Sequence, residues 1–148
     1  MRSKLVQPAD PRTWVPVLAV GEDPVAELER FATEQELRGA HLTAIGAFSE
    51  AVVAWFAWDA KAYRPIAFRE QVEVLSLVGD VAVADGRPKL HAHVVLGRRD
   101  GSAVGGHLRS ARVRPTLEVV LEETPAHLVR VHDPETGLAL VDPRRGDP

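Results

Sequence analysis

The chain has 148 residues, with 18 basic and 21 acidic side chains, six histidines and no cysteine. A length near 150 suits one domain that buries roughly two-thirds of its unfolded surface without disulfide or metal staples. The missing cysteines exclude disulfides, thiolate nucleophiles and iron–sulfur clusters, so any transition-metal site must use histidine and carboxylate, and a net charge of −3 lacks the basic excess of a typical nucleic-acid binder.

Near the amino terminus, Gln7, Pro8, Asp10 and Pro11 interrupt any apolar stretch of the kind a secretory leader carries. Residues 14–20 read as a strand. Asp23 is a good N-cap, Pro24 suits the first helical position, and Val25, Leu28, Phe31 and Ala32 line one face. With Gly39 as its C-terminal cap, this helix should run about four turns. A strand follows over residues 42–58, broken near Gly46 or Ser49-Glu50. Its part from 51 to 58 is the longest apolar run, far below the ~18 residues of a membrane span, so a soluble cytoplasmic protein with no membrane partner is expected. That run is apolar on both faces, which requires cover on both sides, from folded-over sheet or from another subunit.

Residues 71–84 and 89–97 read as strands joined at Asp85-Gly86, and Asp100-Gly101 is a second type I′ hairpin signal. Strands over 103–108, 113–121 and 128–132 complete the pattern. The expectation is an α+β domain spanning residues 1–142, a largely antiparallel sheet of about seven strands with one main helix, and a frayed tail at 143–148.

His91-Ala92-His93 carries the strongest chemical signal. Alternation places both imidazoles on one face of the strand while Leu90, Ala92, Val94 and Leu96 face the core. Two residue rises apart, they can reach one ion with bonds of ~2.0–2.1 Å. A His-x-His pair on a polar face is nonetheless more often merely solvated. His107, in Gly105-Gly106-His107-Leu108, is the third candidate. If Asp100 and Gly101 are the two central turn residues, His93 faces Leu108 and His107 falls on the core side. The triplet therefore requires a β-bulge at Gly105-Gly106, a longer loop around Asp100-Gly101, or completion by another subunit. Three neutral imidazoles would leave a fourth position open, the pattern of catalytic zinc. His41, His127 and His132 read as structural or solvated.

The motif series Thr43-Ala44-Ile45-Gly46-Ala47-Phe48, Glu73-Val74-Leu75-Ser76-Leu77-Val78-Gly79, Leu90-His91-Ala92-His93-Val94-Val95-Leu96, Gly105-Gly106-His107-Leu108 and Thr116-Leu117-Glu118-Val119-Val120-Leu121 resembles the PPC (plants and prokaryotes conserved) domain across residues 4–132. The resemblance implies an α+β domain that assembles as a homotrimer. It also implies a metal, usually zinc, at the positions of His91, His93 and His107. In plants the domain follows AT-hook segments in nuclear DNA-binding proteins, and prokaryotic relatives often inherit that label. The nearest match here, Asp85-Gly86-Arg87-Pro88, lacks the first arginine of an AT-hook and lies in a tight hairpin.

The favoured reading is a metal-binding homotrimer, zinc or another divalent transition metal, that takes a small molecule or anion. Glu73 and Glu118 are the candidates for a general base or for holding a ligating histidine in place. The alternative is a DNA-binding regulator using Arg98, Arg99, Arg109, Arg112 and Arg114. A third reading makes the metal a structural clip in an interaction scaffold.

Overall fold

The computed structural model describes residues 1–7 and 11–145. Asp23 caps helix α1 (Pro24–Glu34) by accepting from the Val25 and Ala26 amides at 2.9 and 3.2 Å. Leu28, Phe31 and Ala32 are buried, and the Phe31 ring meets Trp14 edge-on at 6.0 Å. Each large side chain so buried contributes roughly 1.5–3 kcal/mol. The helix is one turn shorter than the sequence suggests. Glu36 adopts a left-handed φ of 57°, and the amides of Glu36 and Leu37 fold back onto the carbonyls of Thr33 and Ala32. This closes the helix as a Schellman motif without glycine. Gly39 instead opens a strand.

The strands are β1 (Leu5–Gln7), β2 (Thr13–Trp14), β3 (Val17–Leu18), β4 (Gly39–Ala57), β5 (Ala62–Phe68), β6 (Val72–Ala84), β7 (Arg87–Gly97), β8 (Ala103–Glu123), β9 (Arg130–Asp133) and β10 (Leu138–Val141). Strands β1 to β8 form one sheet in the order β1-β2-β8-β7-β6-β4-β5, with β3 beside β8. Because β8 also pairs with β4, strands β4, β6, β7 and β8 close into a ring. Phe48, Val53, Leu77, Leu96, Val113 and Leu121 fill the core.

Residues 103–108 and 113–121, expected as two strands, are one continuous β8. Likewise β4 bends without breaking. Its register against β8 slips between Gly46 and Phe48, between Phe48 and Glu50, and between Val52 and Val53, and these irregularities absorb the curvature of the ring. Three strands, β1, β5 and β10, escape the sequence pattern. Pro65 disguises β5, which is an edge strand where a missing N–H is tolerated. The short β10 pairs only with β9.

The apolar run in β4 is only partly covered within the chain. Ala51, Val53 and Ala54 are buried, whereas Trp55 is 63% exposed and, just beyond the strand, Trp58 is 59% exposed. Among the described residues no helix is long and apolar enough to cross a membrane. Residues 143–145 turn back on Asp142, whose carboxylate accepts from the Arg144 amide. Pro8, Asp10 and the remainder of the expected tail, 146–148, lie outside the described residues.

The β6–β7 turn is type I′ as expected, with φ of 50° at Asp85 and 75° at Gly86. The β7–β8 turn is not. Its Arg98 amide donates to the Ser102 carbonyl, leaving a three-residue loop in which Gly101 takes the left-handed conformation at φ 83°. The extra loop residue brings His93 opposite His107. No bulge is needed at Gly105-Gly106; these glycines serve close approach instead. A Cβ on Gly105 would lie 2.5 Å from the Val94 carbonyl oxygen. Gly105→Ala should therefore lower stability by about 1–3 kcal/mol, read in urea unfolding as a lower midpoint with unchanged slope.

Candidate metal centre

The longer β7–β8 loop places three imidazoles on one outer patch. His91 and His93 project from β7, and His107 from β8 sits between His93 on one side and Ala54 of β4 on the other. Ring centroids lie 5.0 Å apart for His91–His107, 5.2 Å for His91–His93 and 5.7 Å for His93–His107. One nitrogen of each ring can be chosen so that all three fall within 4.8 Å of one another. His91 Nε2 and His107 Nδ1 are buried and have no hydrogen-bond partner. Buried polar atoms ordinarily find partners, so two orphaned nitrogens within a cluster of three imidazoles suit a shared electrophile.

The surroundings favour the neutral imidazole that a metal requires. Burial, followed by the nearby His91 and His93, holds His107 down at about 4. Burial also lowers His91, aided by Arg130, while the Asp80 carboxylate opposes the shift.

Further groups complete the site. The Tyr63 ring of β5 stacks on His107 at 4.5 Å and 23°, fixing its plane. Asp80 lies opposite His91 on β6 and accepts from Arg130 Nη2 at 2.6 Å. Arg130 arrives from the β9–β10 hairpin, which is tied to β6 by the Val83 amide and Leu128 carbonyl at 2.7 Å and to the segment before β5 by Lys61 Nζ and the Pro134 carbonyl. Between this hairpin and the histidines lies a hollow of about 220 Å³. Sequence reasoning missed Tyr63, Asp80 and Arg130. The turn Asp133-Pro134-Glu135-Thr136-Gly137 was the available signal for the hairpin, and β–β register was needed to place Asp80.

The other candidates lie elsewhere. Glu73 pairs with Gly97 at the far end of β7, and Glu118 pairs with Ile45 well along β8; both are exposed, and neither joins the histidines. Arg98 is bound to Glu70, and the exposed Arg99 shares its loop with Asp100. Arg109, Arg112 and Arg114 are exposed along β8, spread along the strand rather than gathered with the loop pair. His41 faces Asp80 and Glu122 on β4, and His127 and His132 lie outside the cluster.

Comparison with known structures places the chain beside three proteins. A plant- and prokaryote-conserved (PPC) protein from Pyrococcus horikoshii superposes with a TM-score of 0.83 at 28% identity, covering 95% of this chain and 94% of that one. A metal-containing protein from Archaeoglobus fulgidus gives 0.82 at 34% identity, covering 95% and 96%. A Bacteroides thetaiotaomicron protein, provisionally described as DNA binding, gives 0.88 at 29% identity, covering 97% and 99%. Comparison with curated proteins finds no match. The family model of the Plants and Prokaryotes Conserved (PCC) domain matches residues 7–125. With that match over most of its length, the chain belongs to the Plants and Prokaryotes Conserved domain family.

Proposed function

We propose that this chain is a cytoplasmic, homotrimeric metal-binding domain in which His91, His93 and His107 hold zinc or a similar divalent ion and offer a small molecule or anion an open position. The observation that carries this reading is the convergence of two buried, unpartnered imidazole nitrogens with a third ring. The metal-containing relative at 34% identity supports it. Zinc bound there would supply Lewis acidity to an oxygen-bearing ligand. Tyr63 would fix the orientation of the His107 ring.

The trimer is supported by an uncovered apolar surface. Val120, Val78 and His93 lie in one cross-strand row with Thr43, and Ile45 and Val95 flank it; all are exposed. Contiguous apolar patches of this kind mark interaction surfaces. DNA binding draws support only from relatives described that way. The pairing of Arg98 with Glu70 and the charge of −3 both weigh against it.

Elemental analysis of zinc-exposed protein should give about one ion per chain, and none for the His91→Ala, His93→Ala, His107→Ala triple variant. Equal metal content in the two would overturn the site. Light scattering should give about 48 kDa, three chains of 16.1 kDa each, and the mass should survive chelation; loss of the trimer on chelation would make the ion a clip.

Metal-free protein should also lose stability as pH falls. The unfolded His107 binds a proton near 6.5 and the folded one only near about 4, so across that interval the unfolded state holds more protons and is favoured. Urea unfolding across this pH range should show the decline, and His107→Gln should flatten it.

A further inference from the structure

Arg130 opens β9, beyond the stretch matched to the family. Its side chain is only 8% exposed. Nη2 donates to Asp80 and Nη1 to the Ala139 carbonyl at 3.1 Å, yet the buried Nε–H has no partner. A buried guanidinium donor left unsatisfied is costly, and Arg130 lines a hollow together with His91 and His107. The remaining walls, Tyr63, Ala84, Leu138 and Leu140, are largely apolar. One charged donor and two ligating rings thus share a space of about 220 Å³, below the ~300–1,000 Å³ of drug-sized sites.

We propose that this hollow takes a small carboxylate, its head shared between Arg130 and the ion held by the histidines, and its short hydrocarbon part against Leu138 and Leu140. The proposal rests on the metal-site reading above. A two-oxygen head matches one free Arg130 donor and one open coordination position. Phosphate would bring further acceptor oxygens against apolar walls and leave them unpaired. Asp80 supports the site by accepting from Nη2, which keeps the guanidinium oriented. Lys89, also at the rim, is already paired with Glu29.

The test uses the full chain loaded with cobalt(II), whose visible spectrum reports ligands entering its coordination sphere. Propionate should perturb the spectrum saturably, and inorganic phosphate should bind more weakly. Arg130→Gln should weaken propionate by about tenfold or more while cobalt stoichiometry is unchanged. Ala84→Phe, on the face of β6 that also carries Asp80, narrows the hollow and leaves Arg130 in place, and it should abolish the propionate response with cobalt still bound. Equal propionate affinity in wild type and both variants, or tighter phosphate than propionate, would overturn the carboxylate pocket and leave the metal site standing. Failure of wild-type protein to bind cobalt at all would overturn both.

Discussion

The cross-strand pairing of His93 with His107 is the constraint on which the rest of the site depends. Side chains alternate along a strand, so a shift of one residue between β7 and β8 would turn His107 into the core and scatter the cluster. The shift is prevented at two places. The three-residue loop with Gly101 in the left-handed conformation sets the offset at one end. At the other, β8 is locked against β4, where His107 faces Ala54. A strand held on both edges cannot slide to suit one partner without breaking its pairing with the other, and ring closure is what gives β8 two such partners.

Electrostatics follow from that placement. Burial on the patch disfavours protonating His91 and His107, and the neighbouring imidazoles and the Arg130 charge add to it. The Asp80 carboxylate lies opposite His91, and it is occupied by Arg130 rather than by a histidine. The site thus presents neutral nitrogen donors beside a fixed cation, an environment that attracts anions once an ion is in place.

Much of this was legible in the residues themselves. Period-two alternation in Leu90-His91-Ala92-His93 identified the face, the Asp23-Pro24 cap located the helix, and Asp85-Gly86 fixed the type I′ hairpin. Parity even exposed the conflict at His107 and named the longer loop among its remedies. What the pattern missed has common physical causes. The dipeptide Asp100-Gly101 is compatible with both a two-residue turn and a three-residue loop, and only pairing across the strands decides between them. Glu36 caps the helix in a conformation usually left to glycine, so the capping signal pointed to Gly39 instead. The groups that surround the histidines, Tyr63, Asp80 and Arg130, come from three different strands, one concealed by Pro65 and one lying outside the main sheet. Such proximity is a property of topology, not of spacing along the chain. For the same reason Glu73 and Glu118, close to the motifs in sequence, are remote from the histidines in space.

All three imidazoles sit inside residues 91–107, one hairpin with a short loop. Bringing them together costs little chain entropy even before the ring closes, because the loop to be closed is small. An unfolded chain therefore retains some capacity to chelate, and ligand that also binds the unfolded state adds less to stability than its affinity for the native state suggests. The proposed ion should consequently raise the melting temperature only modestly for its tightness, while its departure should leave the β-ring standing.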